Sequence, residues 1–167
     1  LKVPSNGTVI TKAKDSVLVA KNKVNLLATV DKSKQRNLVL LLPFNINKIE
    51  TDSVKTKTEQ LKTNKFLNLT LDFYAGALMA IDSAKVLGLP VNVKVYDVES
   101  TKYSSNVASI ISKNDFENVD AVVGPFQNSV VETTAQLLTK YNTPVISPLS
   151  KERGLPLSNL YYTVPSE

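Results

Sequence analysis

Two segments carry groups of the kind that grip a small polar molecule. Gly124-Pro125-Phe126-Gln127-Asn128-Ser129 runs from a strand pattern into a helix pattern, and the free N–H groups at a helix start suit a carboxylate or another anion. The same residues have a purely structural use: Ser129 with Glu132 three positions on is a capping box that satisfies those donors internally, and Glu132 would repel an anion nearby. Ser147-Pro148-Leu149-Ser150-Lys151 follows a second apolar run. Its carbonyls, the Ser150 hydroxyl and the Lys151 ammonium either face a cleft or form a cap-like turn with an exposed Lys. Both alternatives stay open at the level of sequence.

Catalytic chemistry is poorly supplied. The chain has no His and no Cys, which removes the commonest general base, the thiolate nucleophile and the usual soft metal ligands. The five glycines (Gly7, Gly76, Gly88, Gly124, Gly154) form neither G-x-G-x-x-G nor a Walker loop, and no G-x-S-x-G is present, so nucleotide cofactors and a serine elbow are not expected. Ser129, Ser147 and Ser150 have no His to activate them. Asp97 and Glu99 form an acidic pair, but a hard cation wants several more oxygen ligands. No catalytic residue, metal site or cofactor is expected, and the chain is read as a non-enzyme.

The net charge of +5 arises from 20 Lys and Arg against 15 Asp and Glu. Much of the excess lies in Lys12–Arg36 and Lys48–Lys65, neither of which contains an aromatic residue. A nucleic-acid surface would cluster Arg and interleave aromatics, so these segments read as solvated linker or loop and no nucleic acid is expected. No apolar run reaches the length of a membrane span. The chain begins with Leu1 and stops at Pro165-Ser166-Glu167 directly after an apolar run, and is expected to be a piece of a longer protein.

The elements that position the two segments are legible as alternating periods. Residues 1–36 hold short β-branched runs (Thr8–Thr11, Val17–Ala20) and are expected to form a linker or small β ribbon. From Asn37 to Pro43 a continuous apolar run ended by Pro predicts a strand covered on both faces. The Lys/Thr-rich stretch Asn45–Asn64 reads as a long loop. Phe66, Leu69, Phe73, Ala77, Ala80, Ala84 and Leu87 fall three and four apart and predict one face of a helix, stopped by Gly88-Leu89-Pro90. Val91–Tyr96 alternates as a strand, Ser104/Ser105 are placed to cap a short helix through Val107, Ile110 and Ile111, and Val119–Gly124 is a third strand. A helix carrying Val131, Ala135, Leu138 and Tyr141 follows, then strands at Pro144–Ser147 and Leu160–Val164. Strands alternating with helices imply βαβ crossovers: an α/β fold with a doubly wound, mostly parallel sheet and helices on both faces. Ligands of such sheets sit beyond the carboxyl ends of the strands, which singles out Phe44-Asn45, Gly124–Ser129 and Ser147–Lys151.

Leu38–Pro43, the helix through Ala75-Gly76-Ala77, Val95-Tyr96-Asp97, Val122-Val123-Gly124-Pro125 and Thr143–Pro148 occur in an order and spacing that resembles the first lobe of type I periplasmic binding proteins, in particular the leucine/branched-chain amino-acid-binding group. Tyr162-Thr163-Val164 resembles the strand before the crossover to the second lobe. The resemblance covers residues 37–167 and implies a flavodoxin-like half lobe: a solute-binding or sensory module of the ABC transporter substrate-binding kind, acting in the periplasm or at the cell envelope. It carries ligand-binding positions onto Asn128, with Ser129 beside it, and onto Leu149, Ser150 and Lys151; Phe44 and Gln127 join them by position on the strand ends. Asn128 stands where the family usually has Ser, Lys151 where a small hydroxyl residue is common, and Asn45–Asn64 where a ligand-contacting loop is usual. These departures leave the ligand as a small polar molecule of unassigned identity. Leu1-Lys2-Val3-Pro4 is similar to the end of a LysM module, which implies a peptidoglycan or cell-wall partner. The alternative function is thus a peptidoglycan-associated scaffold of the same fold, contacting an envelope protein and holding no small ligand.

Overall fold

The computed structural model describes residues 26–101, 104–150 and 156–164. The chain divides into two compact units, Leu1–Asp31 and Lys32–Glu167. In the first, the described residues contain one helical turn, α1 (Leu26–Thr29); the runs expected as a β ribbon and the LysM-like Leu1–Pro4 lie outside the described residues. In the second, the elements run β1 (Arg36–Leu42), α2 (Ile46–Thr51), α3 (Lys57–Thr63), α4 (Lys65–Val86), β2 (Val91–Asp97), α5 (Val107–Lys113), β3 (Ala121–Val123), α6 (Asn128–Leu138), a 3-10 turn (Thr139–Tyr141), β4 (Val145–Ser147) and β5 (Leu160–Tyr162).

The strands form one five-stranded sheet in the order β2-β1-β3-β4-β5, and every pairing is parallel. β1 lies between its two neighbours with Leu38 opposite Val93 on one side and Ala121 on the other. Its residues Val39, Leu40, Leu41 and Leu42 are all at most 2% exposed, so the strand is apolar without alternation because both of its faces are covered. Val39 and Leu41 join Val107 and Ile111 of α5 and Val131, Ala135 and Leu138 of α6 in one cluster. Leu40 and Leu42 join Phe126 on the opposite face, where Phe73, Tyr74 and Ala77 of α4 pack. Each fully buried Val or Leu contributes about 1.5–3 kcal/mol relative to exposure, so this strand stabilises both layers.

The long helix forms where the periodicity predicts it. The Asn64 side chain accepts from Leu67 N at 3.0 Å as its N-cap, and Gly88 at φ 72 ends it, with Gly88 N bonded to Lys85 O and Leu89 N to Ala84 O. The packed stripe is rotated from the expected one. Leu67 and Thr70 are buried, while Phe66 and Leu69 are 39% and 44% exposed and Ala80 and Leu87 also face solvent. A pattern of apolar residues overlooks Thr70, whose hydroxyl is satisfied by Phe66 O at 3.0 Å and can therefore be buried.

Three local expectations are corrected. Asn45–Asn64 is two short helices rather than a loop: Thr56 caps α3 in a full capping box with Glu59, which the polar composition masked. Ser104 and Ser105 do not cap α5; Asn106 is the residue before it, and Ser105 instead bridges Ser100 in an isolated antiparallel pair. Ser129 does not cap α6, because Gln127 takes the extended cap geometry and Asn128 already begins the helix. The Ser129–Glu132 box is therefore absent, and Ser129 lies within the first turn.

At the amino edge, Asp120 ties the sheet to the lead-in of β1. Its carboxylate accepts from Asn37 N at 2.8 Å and from Arg36 Nη1 at 3.0 Å. The Asn37 N–H first, and then the Arg36 guanidinium, hold its pKa below the ordinary carboxylate value. Such a group stabilises the fold at neutral pH and loses that contribution as the pH falls through the depressed pKa.

Gly124 ends β3 at φ 93, and a Cβ there would lie 2.2 Å from Leu41 O. The turn into α6 thus passes against the backbone of the central strand, and only glycine fits both the dihedral and the contact. Gly124→Ala is expected to lower stability by more than about 2 kcal/mol, measured by urea denaturation; an unchanged midpoint would show that the turn can move away from β1.

Candidate functional site

The sheet order reverses between β1 and β3, so the crevice at their carboxyl ends is the place for a ligand. β1 ends because Pro43 cannot donate to the ladder, and the chain turns at Asn45, a non-glycine residue at φ 55. Asp97 at the end of β2 holds this turn, accepting from Asn45 N and Ile46 N at 2.8 Å each. β3 ends at Gly124, and β4 runs into Ser147-Pro148. Three of the expected segments therefore meet at one edge of the sheet.

Two groups of expected residues come together there. Phe44 and Gln127 line the same open cavity of about 240 Å³, with Asn45, Lys48, Gln60 and Ser100 among its walls. Asn128 and Ser150 form the second group: Ser150 Oγ donates to Asn128 Oδ1 at 3.1 Å, and Tyr162 Oη donates to the same oxygen at 3.3 Å. Thr163 fastens the chain beside them, with N bonded to Ser147 O at 3.1 Å and Oγ1 to Pro148 O at 2.9 Å. The Ser147 hydroxyl is buried with no hydrogen-bond partner. Ser129 is exposed and belongs to a separate hollow with Thr101, Ser104 and Thr133. Leu149 is 40% exposed on the turn, and Lys151 lies outside the described residues.

Sequence reasoning missed Tyr162 and the residues of α2 and α3. Tyr162 meets Asn128 across 34 positions, a contact made by the parallel pairing of β5 with β4 and carried by no local pattern. The helices of 46–63 were signalled by Thr56-x-x-Glu59. Two carboxylates order this segment. Asp52 accepts from Val54 N and Lys55 N, and those two N–H groups hold its pKa down. Glu59 is held down by the Thr56 N–H and then the Thr56 hydroxyl. Lys48 Nζ reaches across to Ser100 O at 3.2 Å, and Asn47 donates to Glu99, so α2 is fastened to the end of β2.

The arrangement is a row of amides, hydroxyls and one ammonium, suited to holding a polar molecule by hydrogen bonds. Among the described residues no three His, Cys, Asp or Glu side chains cluster as metal ligands, and no helix is long and apolar enough to cross a membrane.

An all-parallel sheet in this order, with helices on both faces, is shared at low identity with solved substrate-binding proteins of ABC transporters. The chain is similar to the branched-chain amino acid transporter substrate-binding protein LivJ of Streptococcus pneumoniae, solved with isoleucine, at 20% identity and a TM-score of 0.56 over 80% of this chain and 34% of that one. It is similar also to an ABC transporter substrate-binding protein of Desulfitobacterium hafniense, at 15% identity and a TM-score of 0.53, over 80% of this chain and 35% of that one. The chain spans about a third of the length of these proteins. No protein-family profile matches the sequence, and no curated protein matches it by sequence. The likeness establishes the fold.

Asn128→Ala removes the shared acceptor of two hydroxyls. It is expected to cost about 1–3 kcal/mol, and Tyr162→Phe in that background is expected to add less than half of its cost in the unmutated protein, as coupled partners do. Additive costs in a double-mutant cycle by urea denaturation would show that Tyr162 and Asn128 do not interact.

Proposed function

We propose that this chain is part of a non-catalytic solute-binding module, with the carboxyl edge of β1, β3 and β4 as one wall of its ligand cleft. The observation that carries the reading is that Phe44 and Gln127 line one cavity and Asn128 meets Ser150 on that same edge, at the switch point where α/β sheets take ligands. The ligand is a small polar molecule, and Leu149 flanks it from the turn after β4. A second lobe closes on it by hinge motion, as in substrate-binding proteins, and the module works outside the cytoplasmic membrane, in the periplasm or at the cell envelope. The ligand need not be an amino acid, since Asn128 Oδ1 already accepts from Ser150 and Tyr162 and offers no hydroxyl donor of its own.

The test is a thermal-shift screen of the full-length protein against amino acids, hydroxy acids, sugars and cell-wall fragments. A true ligand at about a hundred times its Kd is expected to raise Tm by about 5–10 °C, with a smaller rise in Asn128→Ala and Ser150→Ala. No shift for any compound at millimolar concentration would overturn the reading in favour of a ligand-free scaffold that contacts peptidoglycan or an envelope protein.

A further inference from the structure

The two short helices after β1 leave an apolar face open. α2 buries none of its residues and α3 buries only the polar Gln60, so neither is held by apolar burial. Helices this short do not persist alone, and polar bonds hold them instead: the Thr56–Glu59 capping box, Asp97 on Asn45 N and Ile46 N, and Gln60 Nε2 on Asp52 Oδ2. Ile46 and Ile49 of α2 and Leu61 of α3 then stand with Leu67 and Leu71 of α4 around a hollow of about 350 Å³, which Phe44 also walls. Ile46, Leu61 and Leu71 are 47%, 49% and 36% exposed, so the chain leaves this hollow open. It lies beside the polar cavity and shares Phe44, Ile49 and Leu67 with it, yet Lys57 is the one polar residue among its described walls.

That chemistry selects the occupant. A small solute finds no converging polar groups to orient it here. The walls also offer no free strand edge, so an incoming segment has to satisfy its own backbone. An amphipathic helix does so, and it presents apolar side chains at i, i+3, i+4 and i+7 along one face. A hollow receives protruding side chains, whereas a surface that enters a membrane has to supply them.

Charge narrows the choice further. Residues 45–65 carry five lysines (Lys48, Lys55, Lys57, Lys62, Lys65) against three carboxylates (Glu50, Asp52, Glu59). Asp52 and Glu59 are taken up by backbone N–H groups, and none of the five lysines forms an ion pair among the described residues. All five are exposed. The segment that supplies most of the hollow is therefore complementary to carboxylates on whatever docks there.

We propose that the hollow between α2, α3 and α4 is a docking site for an acidic amphipathic helix of a partner protein. Its apolar side chains seat against Ile46, Leu61 and Leu71, and its flanking carboxylates meet the lysines of α3. The proposal stands apart from the solute-binding reading and gives the two short helices a role of their own.

Fluorescence anisotropy of the full-length protein with a labelled helical peptide tests it. The peptide carries Leu at i, i+3, i+4 and i+7 and Glu on both flanks; a control peptide has Lys in place of every Glu. The acidic peptide is expected to bind and the basic one to bind more weakly by about tenfold or more, with the difference shrinking at high salt. Leu61→Asn is expected to weaken the acidic peptide by about tenfold at unchanged Tm, because Leu61 is half exposed. Lys57→Glu, a surface change that leaves the apolar walls intact, is expected to narrow the gap between the two peptides. No binding of the acidic peptide, equal binding of both, or binding indifferent to Leu61→Asn and Lys57→Glu would overturn the proposal. Sedimentation with phosphatidylglycerol vesicles that is lost in Leu61→Asn would also overturn it, assigning the hollow to an anionic lipid surface. None of these outcomes alters the Tm screen against solutes.

Discussion

Everything in the larger unit is arranged around a strand that has no solvent face. β1 is paired in parallel on both edges, and its apolar residues alternate between two separate clusters, Val39 and Leu41 in one and Leu40 and Leu42 in the other. A strand buried on both faces requires cover on both, which parallel crossovers supply. Chain passing from β1 to β2 covers one face with α4, and chain passing through α5 and α6 covers the other. The reversal of direction at β1 is what opens a crevice at its carboxyl end. Fold stability and site position thus have one origin, and Gly124 shows how tightly they are joined: the turn that carries Gln127 and Asn128 to the crevice touches the backbone of Leu41.

The crevice is furnished by residues that the sheet alone would not provide. Asp97, at the end of an edge strand, spends both carboxylate oxygens on the backbone of Asn45 and Ile46, which fixes the left-handed turn at Asn45 and the start of α2. From there, Lys48 and Gln60 reach the cavity beside Phe44. On the other side Tyr162 and Ser150 converge on Asn128, tying the last strand to the first turn of α6. The polar groups along the edge are held in place by one another.

The architecture was legible where burial forces a pattern and obscure where it does not. Leu38–Leu42 reads as a doubly covered strand because no polar residue is tolerated there, and the extent of α4 follows from its period and from Gly88. The packed face of α4 departs from the apolar period because it includes Leu67 and Thr70, the latter a polar residue with an internal hydrogen bond. Ser129 resembles a cap, yet Gln127 takes that role by backbone geometry without any side-chain bond. Of the candidate site, Phe44, Gln127, Asn128 and Ser150 are named from strand ends and from the family resemblance. Tyr162 and Gln60 were not, because their contacts depend on tertiary approach. Lys48 belongs to a stretch whose composition reads as a solvated loop, and its hydrogen bond to Ser100 O follows only from the helix it sits on.

The proposed ligand surface is the carboxyl edge of the sheet at the β1/β3 reversal. Amide chemical-shift mapping of the full-length protein, titrated with a solute that raises its Tm, tests this most directly. The perturbed amides are expected to concentrate at Phe44–Lys48, Gln127–Ser129 and Ser147–Ser150. Perturbations confined instead to the amino edge, around Arg36, Pro90 and Asn118, would contradict it.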